Sequence, residues 1–447
     1  MLGHRIGSNG LNYIIQILLI VCLLVTPVHM VWNSPLFAHK FQPPEFIFLL
    51  LFSLAIVYIR RNYHKLWFGP IDVGVLVWLG VNILSGVQAG LNFRISLELL
   101  GVLYLTLLYF TIRMTIGKHL LKNFVNYITI TAVIAASLGT IGWCLNTAGF
   151  FTMLVDTIDA YPILGDIGGR AKAFTAGCNM LAHILMVSIL IKVADALHNN
   201  EFSRRDFVVI GIMLIGFVLT FSKIVLILPI GLILVWYLSS KRNINLFLRT
   251  LIWVMSLLLI ILFILITVLH PIHKNDQNIE KMATKFYASE KPVFTAGSFN
   301  FLQTSYAIGF QIGLIAVEKS FPWGIGPGEF QPFGYQAQKD GLTYKANKYP
   351  REVKPHSTYI GAIAELGVLG AFSILFLWYL IGRGCYEALQ VKEYRGLAVG
   401  LSASFVTTAI HAYCIDIMNF RHLWWLFAIT AVLCQQTRNK LQGINKL

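Results

Sequence analysis

One histidine, His356, stands where a long polar stretch of the sequence ends and an apolar stretch begins. Residues 271–355 contain no run apolar enough to cross a bilayer, whereas residues 357–382 form a run of sufficient length. A neutral imidazole accepts a proton near neutral pH, so a histidine at this boundary could act as a general base on a sugar hydroxyl. A lone histidine can equally cap a helix or form a structural hydrogen bond, and the pattern leaves both readings open.

Two cationic residues lie in short turns where charge is costly. Arg170 follows two glycines, which let the backbone approach a ligand, and its guanidinium matches the geometry of phosphate oxygens. Lys223 lies in a short turn between two apolar runs, so its ammonium should lie near the headgroup level and could meet a diphosphate. The alternatives are that Arg170 is an interfacial anchor and that Lys223 only extends to the interface.

Four further polar residues are expected to support this site: Glu365, Tyr359, Arg351 and Tyr306. Glu365 lies well beyond His356 in the sequence, roughly 13 Å along a helix that rises about 1.5 Å per residue, so the two side chains cannot touch. An acid within an apolar run is costly to bury. We therefore expect Glu365 to hold a neighbouring helix or backbone segment in place.

The elements that must position these residues are membrane helices. Hydrophobic residues make up 57% of the chain and charged residues only 12%, against about 25% in an ordinary soluble domain. The sequence therefore predicts an all-α polytopic membrane protein with about twelve transmembrane helices and one large outer loop. The predicted spans are 11–32, 44–60, 71–88, 96–116, 124–145, 174–193, 207–221, 223–239, 245–270, 357–382, 397–415 and 421–436.

The chain divides into three parts on this reading. Residues 1–270 hold the first nine helices and a shorter outer loop at 146–172, residues 271–355 form the large outer loop, and residues 356–447 hold the last three helices. Most Lys and Arg of the short loops lie on one side of the membrane, which the positive-inside rule makes the cytoplasmic side. Both termini should then face the cytoplasm, and both long loops should face outward.

Charge and motifs exclude several classes of partner. The formal net charge of +15 is mostly the topology signal, and no soluble face combines clustered Lys and Arg with aromatic residues. The sequence contains no P-loop and no dinucleotide-binding fingerprint, and His270 and His273 have no carboxylate or cysteine at ligand spacing. We expect membrane lipids as partners, and no nucleic acid, metal or cofactor.

Several short motifs together carry a family resemblance. They are Pro322-Trp-Gly324-Ile-Gly326-Pro-Gly328-Glu-Phe330, His356-Ser-Thr-Tyr359, Glu365-Leu-Gly367-Val-Leu-Gly370, the set Arg170, Phe174 and Asn179, and the pair Ser222-Lys223. In this combination the sequence resembles the bacterial O-antigen ligase and polysaccharide polymerase family, over roughly residues 165–380. The multi-span layout extends the likeness to the whole chain.

The resemblance implies a membrane-embedded glycosyltransferase of type C at the periplasmic face of the bacterial inner membrane. Its donor would be a glycan on undecaprenyl diphosphate, and its acceptor would be lipid A-core for a ligase or a lipid-linked repeat unit for a polymerase. His356 would be the base that activates the acceptor hydroxyl. Arg170 and Lys223 would hold the diphosphate leaving group, and no metal would be needed.

Two departures from the family pattern concern the diphosphate site. Lys223 stands where the family usually has arginine, which replaces a planar fork by a point charge. Residues 271–350 contain no arginine, although ligases usually place one ahead of Gly324, and Tyr306, Gln303 and Lys291 are the polar candidates there. These departures favour a polymerase over a ligase without settling the choice.

Other classes remain as alternatives. A lipid-linked oligosaccharide flippase or transporter would have a similar number of spans but no use for a long outer loop. A non-catalytic envelope-complex scaffold could use such a loop, yet it would not need Arg170, Lys223 and His356 on one side of the membrane. The cell-wall glycan polymerases of the shape, elongation and division group share the chemistry and are a further alternative.

Overall fold

The chain folds into a helical protein with two small sheets. The computed structural model describes residues 2–29, 42–62, 68–150, 152–156, 169–199, 202–240, 246–273, 292–343, 350 and 352–441. The helices are α1 (Leu2–Val25), α2 (Pro43–Asn62), α3 (Pro70–Gln88), α4 (Phe93–Thr115), α5 (Lys118–Thr147), α6 (Cys178–Asn199), α7 (Arg204–Val218), α8 (Leu228–Ser239), α9 (Leu246–Val268), α10 (Ser305–Ser320), α11 (Phe330–Lys339), α12 (Thr358–Ala388), α13 (Arg395–His411) and α14 (Arg421–Leu441).

The predicted membrane character is confirmed in its coarse form. Every predicted span overlaps a helix, because long apolar runs can satisfy their backbone groups within one element. Within the described residues, six helices are long and apolar enough to cross a membrane: Pro43–Arg61, Pro70–Gln88, Phe93–Thr115, His119–Thr147, Cys178–Asn199 and Thr358–Ala388. Three shorter apolar helices, Gly10–Val25, Lys223–Ser239 and Trp253–Leu265, accompany them, so a total of twelve spans stays a prediction.

The helices pack through small residues where their backbones approach. A Cβ atom added at Gly216 of α7 would lie 2.8 Å from the Cα of Ala136 in α5. One added at Gly400 of α13 would lie 2.7 Å from the Cα of Ile191 in α6. Close approach of this kind supplies the packing contacts that hold membrane helices together, since lipid gives little hydrophobic drive between them. The result is a tightly packed frame around α6 and α13.

The segment predicted as one large loop contains folded elements in its described part. Strand β3 (Leu269–His273) follows α9 directly and pairs antiparallel with β5 (Phe299–Gln303), which also pairs with β4 (Phe294–Ala296). Helix α10 follows and buries Ile308 and Ile312 in a small core with Phe330 and Val353. This core fixes α10 against the start of α12.

Helix α12 is not the continuous span that the sequence predicts, because its backbone breaks at Gly367 (φ 68°, ψ −158°). A break leaves carbonyl groups without helical partners. The carbonyls of Ala364 and Glu365 instead accept hydrogen bonds from the N–H groups of Ile325 (3.0 Å) and Gly326 (2.9 Å). The Pro322 carbonyl in turn accepts from Val368 N at 2.9 Å.

The glycines of this contact have a steric reason. A Cβ atom at Gly324 would lie 2.4 Å from the Glu365 carbonyl oxygen, and one at Gly367 would lie 2.0 Å from the Pro322 carbonyl oxygen. No side chain fits between two backbones that approach this closely. The Gly-x-Gly motif therefore lets the backbone of residues 324–326 pack against the break in α12 and donate hydrogen bonds to its carbonyl groups.

Candidate functional site

His356 lies immediately before α12 in an unusual backbone conformation. Its φ is 48°, in the left-handed region that non-glycine residues rarely adopt. Ser357 follows as the N-cap of α12, and its hydroxyl accepts a hydrogen bond from Ile360 N at 3.4 Å. The imidazole packs on the phenol ring of Tyr306, with the two ring centroids 4.5 Å apart. The turn thus holds the ring at the mouth of the helix.

Tyr306 also contacts Lys223. The Lys223 Nζ atom lies 5.1 Å from the centroid of the Tyr306 ring, within the range of a cation–π interaction. Tyr306 reaches both partners because it lies in the first turn of α10, and α10 passes close to the Pro355 carbonyl at Gly309. One aromatic ring therefore links the lysine to the histidine.

Arg170 joins the same region through the turn that carries Lys223. Residues Arg170–Ala171 form the short strand β2, which pairs with β1 (Val155–Asp156). The Arg170 guanidinium donates from Nε to the Thr220 carbonyl (3.0 Å) and from Nη2 to Asn179 Oδ1 (3.3 Å). Asn179 Oδ1 also accepts a hydrogen bond from Ser222 Oγ at 2.8 Å.

We call Arg170, Lys223, Tyr306 and His356 the cation pocket. The charges of Arg170 and Lys223 interact electrostatically across it. Hydrogen bonds hold Arg170 and the Tyr306 ring contacts Lys223, and an anion bound between the two cations relieves their repulsion. The pocket suits a phosphate-bearing group beside a base.

Backbone strain marks three of the four segments that build this pocket, all except the helix that carries Tyr306. Among the described residues, the non-glycine residues with positive φ are Ala173, Phe221 and His356. Ala173 follows the strand of Arg170, and Phe221 precedes Lys223 by two positions. Such conformations cost about 1–3 kcal/mol each and gather at functional sites, where the surrounding fold maintains them. The strain therefore supports the cation pocket as a working site.

The other residues expected to support the site lie elsewhere. The Tyr359 hydroxyl donates to the Ala409 carbonyl at 2.7 Å, which ties α12 to α13. The Glu365 carboxylate accepts from Phe330 N at 3.2 Å and so holds a backbone segment. Arg351 and Lys291 are outside the described residues, as is the side chain of Gln303.

The sequence reasoning missed a cavity of about 600 Å³ that borders the same turn. Arg94, Glu98, Glu365 and Asp416 contribute to its lining, and we call it the carboxylate cavity. Burial raises the pKa of the Asp416 carboxyl above its ordinary value. The sequence offers two signals for single lining residues but none for the cavity itself: the spacing of Arg94 and Glu98, which places them on one helix face, and the lone acid Asp416 between two apolar runs.

The sequence reasoning also missed a cluster of buried histidines. His183 Nδ1 lies 2.6 Å from His422 Nε2, its Nε2 lies 2.9 Å from the Thr408 hydroxyl, and its ring stacks on His411. All three histidines are buried between α6, α13 and α14. Across the described part of the chain, no group of three or more His, Cys, Asp or Glu residues is arranged to hold a metal ion.

Comparison with known families identifies the segment that carries the pocket. Residues 208–375 match the family model described as O-Antigen ligase. This match confirms the family resemblance. The matched segment runs from α7 into α12 and contains Lys223, Tyr306, His356 and Glu365, whereas Arg170 lies before it. No curated protein matches the chain.

Proposed function

We propose that the chain is a glycosyltransferase that moves a glycan from undecaprenyl diphosphate to an acceptor sugar hydroxyl at the periplasmic face of the inner membrane. The observation that carries this proposal is the contact of Tyr306 with both Lys223 and His356, together with the hydrogen bond from Arg170 to Thr220 in the turn before Lys223. The O-antigen ligase match supports the same class of reaction. A phosphate-binding cation pair next to a base is what such a transfer requires.

The transfer follows from the chemistry of these groups. The acceptor oxygen attacks the anomeric carbon of the donor sugar, and the bond between that carbon and the phosphate oxygen breaks. The diphosphate departs with the electron pair, and Arg170 and Lys223 stabilise the charge that develops on it. The hydroxyl proton passes to the imidazole of His356, which acts as the general base.

Tyr306 has a positioning role in this scheme. Its ring contacts both the lysine and the histidine, so it sets the separation between the leaving-group site and the base. Fixed geometry of this kind lowers the cost of bringing two substrates together in the reactive orientation.

Reconstitution tests the proposal against its alternatives. Purified protein in liposomes should convert lipid-linked repeat units into longer glycans, or transfer them to added lipid A-core, and release undecaprenyl diphosphate with each new bond. Movement of the glycolipid across the bilayer without any new glycosidic bond would instead indicate a flippase. Absence of both activities under conditions where the protein binds an envelope partner would favour the scaffold.

Topology is tested separately by cysteine labelling. The proposal places Asp340 on the periplasmic side and Lys440 on the cytoplasmic side. In a background where the exposed Cys144 is replaced by serine, an impermeant maleimide should label Asp340→Cys in intact cells and spare Lys440→Cys. The reverse pattern would contradict the orientation.

A further inference from the structure

The carboxylate cavity and the cation pocket share one stretch of backbone. Lys354, Pro355 and Thr358 line the cavity, while the ring of His356, between them in sequence, packs on Tyr306 of the cation pocket. A ligand in the cavity would therefore lie next to the segment that carries the base. At about 600 Å³ the cavity falls within the usual range of about 300–1,000 Å³ for small-molecule sites.

The lining combines apolar walls with fixed polar groups. Trp78, Leu105 and Met418 are buried and contribute apolar surface. The Arg94 guanidinium donates from Nε to the Gly328 carbonyl (2.7 Å) and from Nη2 to Gln331 Oε1 (2.8 Å), so its position is set by the loop before α11. This combination is typical of sites that bind a specific organic ligand.

One amide in the lining can bond to a ligand. Asn82 is only 3% exposed, and its Nδ2 donates to the Trp78 carbonyl at 2.8 Å within the same helix. The residue lines the cavity, so a ligand hydroxyl can donate to its Oδ1.

Hydrogen bonds fix the part of the cavity lining near Asp416. Thr358 at the start of α12 donates from its hydroxyl to the Ile415 carbonyl (3.0 Å) and accepts from Ile417 N (3.0 Å). Asp416 Oδ1 accepts from Met418 N at 3.2 Å. These bonds tie the backbone on both sides of Asp416 to Thr358, two positions after His356, so a ligand that bonds to Asp416 lies beside the segment that carries the base.

The charge of the cavity distinguishes it from the cation pocket. Acidic side chains outnumber cations in its described lining, which holds Glu98, Glu352, Glu365 and Asp416 against Arg94 and Lys354. Burial raises the pKa of Asp416 and so favours its neutral form. Arg94 is already bonded to Gly328 and Gln331, so the lining offers hydrogen-bonding groups rather than a cation pair for a phosphate. Carboxylates, amides and a guanidinium together match hydroxyl groups, each of which can donate and accept.

We propose that the carboxylate cavity is the acceptor subsite and that it takes an uncharged, hydroxyl-rich glycan in preference to a phosphorylated one. The assignment to the acceptor rests on the proposed transferase function. It separates the two substrates by charge: the diphosphate end of the donor lies in the cation pocket, and the neutral glycan of the acceptor lies in the cavity. A lipid-linked repeat unit that carries no phosphate on its sugars then fits better than a phosphorylated core.

Calorimetric titration of the full-length protein in nanodiscs tests this assignment with three probes. They are the repeat-unit glycan released from its lipid by mild acid, the phosphorylated core oligosaccharide released from lipopolysaccharide, and inorganic pyrophosphate. Asn82→Leu and Glu98→Ala should weaken binding of the repeat-unit glycan by about tenfold or more, the loss typical of a hydrogen bond to a buried or charged group. Both should leave pyrophosphate binding unchanged.

Matched variants separate the cavity from the pocket. Arg170→Ala should weaken pyrophosphate binding and leave glycan binding intact, and Glu318→Gln, an exposed acid on α10, should change neither. Glu98→Gln removes a charge but keeps an acceptor, so it should strengthen binding of the phosphorylated core relative to the neutral glycan.

The outcomes are distinguishable. Repeat-unit glycan binding that survives Asn82→Leu and Glu98→Ala, or wild-type binding of phosphorylated core that is tighter than that of the neutral glycan, would overturn the acceptor assignment. Pyrophosphate binding that is absent, or is unchanged by Arg170→Ala, would count against the proposed function instead. In that case, the titrations with glycan would still test whether the cavity binds a glycan.

Discussion

The cation pocket and the carboxylate cavity are neighbours with opposite chemistry. In the pocket, Tyr306 contacts Lys223 and His356 while Arg170 bonds to the turn that carries Lys223, whereas acidic side chains outnumber cations in the cavity lining. Both border the turn before α12. On the proposed assignment, the anionic leaving group and the neutral acceptor bind in regions of opposite chemistry that border one turn, and the reacting hydroxyl reaches the donor beside His356.

The two regions are also built differently. The pocket depends on strained backbone at Ala173, Phe221 and His356, in turns between helices. The cavity depends on the break at Gly367, where the Gly324–Gly326 segment pairs with the carbonyls of α12. Strain fixes single side chains in the pocket, and backbone pairing shapes a volume in the cavity.

The largest effect should come from a substitution at the break in α12, next to the residues that line the carboxylate cavity. Gly367→Ala would place a Cβ atom 2.0 Å from the Pro322 carbonyl oxygen at a positive φ, so we expect loss of folded protein. Thermal unfolding of detergent-solubilised protein measures the effect. Gly101→Ala, with nothing within 4 Å of the added Cβ, is the matched control and should leave the unfolding temperature unchanged or slightly raised. A stable, active Gly367→Ala protein would contradict the close backbone contact between residues 322–326 and the break in α12.

Removing a cation from the pocket should have the next largest effect. Arg170→Ala and Lys223→Ala should each lower turnover by about a hundredfold or more, because each removes charge stabilisation from the departing diphosphate. Lys172→Ala removes the same charge two positions from Arg170 and should be nearly neutral. Initial rates of glycan transfer measure these effects.

The lysine position allows a conservative check. Lys223→Arg should retain activity, because a guanidinium also packs on an aromatic ring and binds phosphate. Full activity of Lys223→Ala would show that the lysine is only an interfacial anchor.

A smaller effect is expected from substitutions of Tyr306, whose ring contacts both His356 and Lys223. Tyr306→Leu should lower turnover by roughly tenfold, since it removes a cation–π contact and the surface against which the imidazole packs. Tyr306→Phe keeps the ring and should remain close to the wild-type rate. Equal rates for both variants would remove Tyr306 from the positioning role.

Much of the frame could be predicted from the sequence. Every predicted span overlaps a helix, and the residue types of Arg170, Lys223 and His356 made them candidates, which the structure places in neighbouring segments while their roles stay a prediction. Composition could not show that Tyr306 bridges two of them, because that contact depends on how α10 packs on the turn before α12. The break at Gly367 was equally hidden, because an apolar run reads as one continuous helix.

The carboxylate cavity could not be predicted for a different reason. Its residues come from α3, α4, α12 and the turn before α14, far apart in sequence, and only tertiary packing brings Asn82, Arg94 and Asp416 to one volume. In the sequence, each of these residues is a single polar group, inside a helix for Asn82, in the first turn of one for Arg94 and between two helices for Asp416. A cavity is a property of the spaces between elements, and no local pattern encodes it.

The central claim is that His356 is the base of the transfer, and one substitution tests it most directly. His356→Asn suits the site because asparagine tolerates the φ of 48° and keeps a hydrogen-bonding side chain, but it cannot take up a proton. His356→Gln and His356→Ala extend the series, and Tyr359→Phe, which removes only the bond to Ala409, serves as the control.

The test measures glycan transfer by these variants at equal protein levels in the membrane. We predict that His356→Asn, His356→Gln and His356→Ala abolish transfer while the protein stays folded in the membrane, and that Tyr359→Phe stays within a few-fold of the wild-type rate. Normal transfer by His356→Asn would contradict the account, because the histidine would then be a turn residue and the base would lie elsewhere.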